Sequence, residues 1–285
     1  MVAEPTAFEP RGAPTPAALT SARVELHWAA QAVAAVGRAL IPAAPDDSHT
    51  SLEWAATSGL LVGGITPRGL RLGLRPADLA LVVLDASGRP ERELPLSGRT
   101  LSETLAGAGE MLGAPPLARP PYEMPDHAVA RGGAFRGDDR DALAELARWY
   151  ATADSLLRGL GFLPPDTGRH ASPVRCWPHH LDIATLVTLP RIPRTGLRTI
   201  GVGLSPGDAI YAEPYFYVTP WPYPESPVLP ELPSAAAWHR SGWFGAVLTG
   251  TAIFSDLDAT APTRAKMVSG FLGAAVRASA ALLGA

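Results

Sequence analysis

Leu72-Gly73-Leu74-Arg75-Pro76-Ala77-Asp78 recurs further along the chain as Val202-Gly203-Leu204-Ser205-Pro206-Gly207-Asp208. Each copy is a short apolar stretch interrupted by glycine and closed by a proline-bearing turn. The first leads into the aliphatic run Leu79–Leu84, the second into Tyr211, Glu213, Tyr215 and Tyr217. The flanks correspond as well. Ala22-Arg23-Val24-Glu25-Leu26 matches Ala142-Leu143-Ala144-Glu145-Leu146, and Arg38-Ala39-Leu40 matches Arg158-Gly159-Leu160, both 120 residues apart. The order helix, strands, helix therefore occurs twice. It predicts an α+β fold of two similar helix–antiparallel sheet–helix halves, an internal duplication related by a pseudo-twofold axis. The alternative is two hairpin turns of ordinary composition.

The segments around the repeat divide into an arm (1–19), a first half (20–113), a linker (114–138) and a second half (139–285) that carries the candidate site. Helical spacing starts at a Thr20 or Ser21 cap and ends at Leu40 before Pro42. Strands are expected at Leu52–Trp54, Leu60–Ile65, Leu70–Leu74, Leu79–Leu84 and Glu91–Leu96, then a helix from Thr100 or Ser102 to Leu112. The second half reads as a helix over 141–161 and strands at Pro173–Leu189, Thr199–Leu204 and Ile210–Val218. A proline-dense, polyproline-like stretch (Thr219–Pro233) follows. A short helix near Ser234–His239, a strand near Ala246–Ile253 and a helix from Pro262 to Leu283 complete it.

With 285 residues, 47% hydrophobic and 18% charged, the chain can bury a core. Its net charge of −3 and lack of a basic block argue against nucleic acid. No signal-like start and no apolar run of bilayer length are found, which predicts a cytoplasmic protein without membrane attachment. The lone cysteine, Cys176, excludes an internal disulfide. Lys266 is the single lysine, so lysine-nucleophile chemistry would fall to it alone, in an expected surface helix.

Side chains alternate along a strand. In the second half this puts His180 and Asp182 on one face of Pro173–Leu189, with His179 on the other. Gly201 and Gly203 share a face of Thr199–Leu204. Tyr211, Glu213, Tyr215 and Tyr217 share a face of Ile210–Val218. Glycines leave room for a ligand, so this face reads as a pocket floor, with His180, Asp182 and Glu213 as catalytic residues. Tyr211, Tyr215, Tyr217, Gly201 and Gly203 then bind a small-molecule substrate. In the first half Thr57, Gly59 and Val83 stand where His180, Asp182 and Glu213 stand in the second. An imidazole beside carboxylates suits a general base. The same three residues also suit a divalent metal, with His49, His170 or His239 as further ligands. A solvated polar sheet face is the plain alternative.

Gly203-Leu204-Ser205-Pro206-Gly207 fits the spacing of a hydrolase nucleophile elbow. Pro206 has no N–H for an oxyanion hole and a strand follows instead of a helix, so the serine is read as part of a turn. His27 and Gln31 share a helix face near Trp28, which reads as a partly exposed helix surface or the wall of a site.

The chain resembles a bacterial family known only as a domain of unknown function. The resemblance rests on Leu26-His27, Gln31, Gly37-Arg38, Ser172-Pro173-Val174, Trp177, Asp182-Ile183-Ala184, the Gly203–Gly207 turn and Tyr215-Phe216-Tyr217. The His179–His180 pair departs from that pattern and marks a divergent member. The resemblance implies no activity, cofactor or residue role. Two functions follow from the residues. One is an enzyme acting on a small polar metabolite through the His–carboxylate site. The other is a non-catalytic ligand-binding or assembly module, with a homo-oligomer as one form of it.

Overall fold

Residues 71–75 lie at the centre of a five-stranded antiparallel sheet. The computed structural model describes residues 8, 16–115, 117–160, 170–190, 196–225, 228–233 and 235–284. Most of the expected arm, and parts of the expected proline-dense stretch and of the Ser234–His239 segment, lie outside them. The chain divides into two compact units. One comprises Ala13–Arg148 and Arg175–Asp182; the other comprises Met1–Gly12, Trp149–Val174 and Ile183–Ala285.

In the first of these units, helix α1 (Pro16–Leu40) begins ahead of the expected cap, so residues 16–19 are helical. Proline is tolerated there because the first-turn N–H groups have no intrahelical partner. Strands β1 (Glu53–Ala55), β2 (Leu60–Val62), β3 (Arg71–Arg75), β4 (Ala80–Leu84) and β5 (Pro90–Pro95) form a meander in chain order. Leu74 pairs with Leu61 and Leu81, and Gly73 with Val62 and Val82. All five residues of β4 are buried, so both sheet faces are covered. A side chain at Gly73 would crowd Val62 and Leu60, which pack with Val82 and Leu84.

Helix α2 (Leu101–Leu112) starts at the capping box of Thr100 and Glu103 and stops at Gly113, which takes a left-handed conformation. The stretch 117–138 has little regular structure, yet it is fastened. Phe135 is buried, and the Glu25 carboxylate of α1 accepts from the backbone N–H groups of Arg136 (2.5 Å) and Gly137 (3.0 Å).

Helix α3 (Arg140–Arg158) runs on into the other unit, whose strands are β6 (His170–Ala171), β8 (Asp182–Thr188), β9 (Thr199–Ser205), β10 (Tyr215–Trp221), β11 (Ala237–His239) and β12 (Gly245–Thr249). Between β6 and β8 in sequence, β7 (Arg175–Trp177) belongs to the first unit. The larger antiparallel sheet runs β11-β12-β10-β9-β8-β6. After β12 come the short α4 (Gly250–Ile253) and α5 (Ala261–Leu282), which packs on β9, β10 and β12. Ile200, Val202, Leu204, Phe216 and Val218 are fully buried, as alternation requires. The fold is thus α+β with two antiparallel sheets. No helix among the described residues is long and apolar enough to cross a membrane.

Four expected elements differ. The strand Pro173–Leu189 is broken by a turn at Pro178–Leu181, with Leu181 left-handed at φ 59°. Residues 210–214 are not strand, because Asp208 Oδ1 accepts from the N–H groups of Ile210 (2.7 Å) and Tyr211 (2.8 Å) and holds a turn. The segment at 237–239 is a strand instead of a helix. The strand ending near Ile253 stops at Thr249, whose hydroxyl accepts from Ala252 N–H and caps α4.

Candidate functional site

The break in the Pro173–Leu189 strand creates the candidate site. Strand β7 is fixed beside Leu52, since Cys176 and Leu52 exchange both backbone hydrogen bonds (2.7 and 2.9 Å). Arg175 Nη1 donates to Ser51 Oγ at 2.9 Å. The chain then turns: the N–H groups of His180 (3.2 Å) and Leu181 (2.7 Å) return to the carbonyl of Trp177. A left-handed leucine costs about 1–2 kcal/mol. The Leu181 side chain is fully buried, which offsets that cost.

Helix α1 grips the turn. His27 Nε2 lies 2.9 Å from the Pro178 carbonyl oxygen, and Gln31 Nε2 lies 2.7 Å from the same atom. A carbonyl only accepts, so His27 carries its proton on Nε2 and leaves a lone pair on Nδ1. Gln31 Nε2 also donates to the His27 carbonyl at 3.2 Å, which fixes the amide orientation and leaves buried Oε1 without a donor among the described residues. His27 is buried, contrary to the expected partial exposure. Desolvation, against the weaker support of the Pro178 hydrogen bond, lowers its pKa to about 4.

The two turn histidines differ. His180 is exposed, whereas His179 is half-buried. The His179 ring centroid lies 4.5 Å from that of His180, 5.7 Å from Tyr122 and 6.1 Å from Trp177. Burial, then the neighbouring His180, pushes the His179 pKa below the usual histidine value; Asp182 and Asp47 oppose this. Asp182 opens β8 and is half-buried. Burial first, and then its charge, raises the Cys176 thiol pKa. His180 and Asp182 therefore do not share a strand face. The Asp182 charge acts on His179, which alternation had assigned to the core side. A neutral imidazole beside a solvent-exposed one, with a carboxylate at hand, can accept a proton and pass it on.

Glu213 belongs to the other compact unit, in the turn before β10. Its Oε2 accepts from Thr251 N–H (2.5 Å) and Thr251 Oγ1 (2.7 Å) at the start of α4. Among the described residues no three of His, Cys, Asp and Glu are grouped to hold a metal ion. His49, named as a further ligand, accepts from Ala44 N–H through Nδ1 at 3.2 Å.

Tyr211, Tyr215 and Tyr217 do come together, with ring centroids 4.8 Å (211–215) and 6.3 Å (215–217) apart. Trp243 joins them 6.4 Å from Tyr215 and 6.5 Å from Tyr217, and His239 stacks on Trp243 at 4.3 Å. Tyr215 donates to Asp208 Oδ2 at 2.6 Å. His239 Nε2 faces the Ser241 carbonyl at 2.6 Å and so carries the proton; Nδ1 accepts from the Tyr211 hydroxyl at 3.0 Å. Burial, then the charge of Asp208, raises the Tyr211 pKa. The space beside the glycines is occupied. A Cβ at Gly203 would stand 2.7 Å from the Tyr217 hydroxyl, and one at Gly201 3.0 Å from a Thr219 methyl. These glycines admit side chains from the neighbouring strand. Ser205 likewise lies in a strand-to-turn connection, where its Oγ accepts from Gly207 N–H at 3.2 Å.

Strand alternation gave no place in a site to His179 or Trp243, while His27 was read as a helix surface or site wall and His239 as a further metal ligand. The i, i+4 spacing of His27 and Gln31 was the one signal that pointed inward. In comparisons with known proteins, no family model, curated protein or solved structure matches this chain.

Proposed function

We propose that the chain is an enzyme that moves a proton on a small polar metabolite at the Pro178–Asp182 turn. His179 serves as the base, His180 exchanges the proton with solvent, and Asp182 supports the imidazolium that forms. The observation that carries this reading is the double grip of His27 and Gln31 on one carbonyl. Two buried polar side chains hold a turn that carries a half-buried and an exposed histidine side by side, and one residue of that turn is left-handed. Costly local geometry of this kind concentrates at functional sites. Glu213 drops out of the catalytic set in this reading, since Thr251 engages its carboxylate. The two sheets are read as copies of a duplicated unit, with the histidine turn carried by the unit that contains α1. Supporting that, the repeated phrase lies in each sheet on a strand that turns into its antiparallel neighbour.

Pooled polar metabolites incubated with the protein and followed by mass spectrometry test it. A conversion is expected with wild type and is lost in His179→Ala and in His180→Ala. A conversion that both variants retain contradicts the assignment.

The second reading is a non-catalytic ligand-binding or assembly module, in which the half-buried Tyr211, Tyr217 and Trp243, backed by buried Tyr215, meet a ligand or another copy. The joined aromatic rings, with the Tyr211 and Tyr215 hydroxyls engaged, favour it, because such groups supply contact area at small entropic cost. Binding without conversion, abolished by Trp243→Ala, is its signature.

A further inference from the structure

Phe8 is completely buried although it stands far from its partners in sequence. Its ring meets Trp149 of α3 edge-on at 5.8 Å and Phe254 at 6.5 Å. Its carbonyl accepts from Arg264 Nη1 of α5 at 3.0 Å. Arg264 is itself 1% exposed, and among the described residues no carboxylate pairs with it. Its other contacts are the Asp256 carbonyl at 2.9 Å and the face of Phe254 at 4.7 Å.

The residues around Phe8 also contact one another. Trp149 meets Phe254 edge-on at 6.3 Å and Phe216 at 6.2 Å, and Arg264 lies over Phe254. An aromatic cage with a buried guanidinium aimed at a backbone carbonyl has the chemistry of a peptide site. The rings take an aromatic side chain, and the donor reads the main chain beside it. We propose that this socket is a peptide-binding site, occupied by Phe8 of the same chain. Because the cage residues also contact one another, Phe8 is replaceable in this proposal by the same sequence supplied separately.

The test uses the full-length Phe8→Ala protein and a synthetic peptide of residues 1–15. The substitution should lower the Tm by about 5–10 °C. Wild-type peptide well above its Kd should restore most of that loss, the gain rising with the logarithm of its concentration, and the peptide with Phe8→Ala should restore none. Phe8→Leu, which keeps most of the apolar volume, gives the same comparison should Phe8→Ala not fold. An unchanged Tm, or equal effects of the two peptides, overturns the proposal. Neither outcome touches the reading of the Pro178–Asp182 turn.

Discussion

Pro178 offers one carbonyl, and two side chains of α1 close on it. The arrangement has a cost that pH exposes. His27 has a pKa of about 4 in the folded protein, against 6.5 ordinarily. The unfolded chain therefore takes up a proton on His27 below pH 6.5 while the folded chain resists until about 4. The contribution of neutral His27 to stability is full above pH 6.5 and is lost as the pH drops toward 4. The loss from this residue is about 3 kcal/mol. Urea denaturation at successive pH values should show His27→Gln with a shallower decline than wild type across that window. Parallel declines would mean that His27 is not buried neutral. His27 also shows what sequence reading could and could not reach. Its helical spacing with Gln31 was visible. Its burial was not, because the covering turn lies about 150 residues away and no local pattern announces it.

At the scale of elements, the reading succeeded where local signals are strong. Strands β2, β3, β4 and β5 and helix α2 lie within a few residues of expectation. Their apolar runs end at turn residues, and Thr100 with Glu103 spells a capping box. It failed where one polar side chain redirects the backbone. Asp208 turns the chain before β10, and Thr249 converts the end of β12 into α4. Leu181 gives no hint of a left-handed conformation, since leucine rarely adopts one. These misses removed the strand alternation on which the His180–Asp182–Glu213 set was built. Glu213 illustrates the consequence. Its carboxylate organises the start of α4, so Glu213→Ala should cost about 1 kcal/mol of stability. Chemical denaturation reads this directly; full stability in that variant would show that the Thr251 hydrogen bonds do not hold α4.

At the scale of the whole molecule, the α+β class was legible from the order of elements, and the repeated Gly-x-x-Pro phrase marks the middle strand of one sheet and an inner strand of the other. The histidine site was only partly legible because it draws on distant stretches: α1, Asp47, Tyr122 and Trp177–Asp182. Folding alone sets the His179 environment, so its titration reports the assembled site. The most direct measurement is an NMR pH titration of the imidazole nitrogens in wild type and in Asp182→Asn. The account predicts a His179 midpoint below 6.5 in wild type and lower still in Asp182→Asn, where the supporting charge is gone. A His179 midpoint at or above 6.5, unmoved by Asp182→Asn, would contradict it.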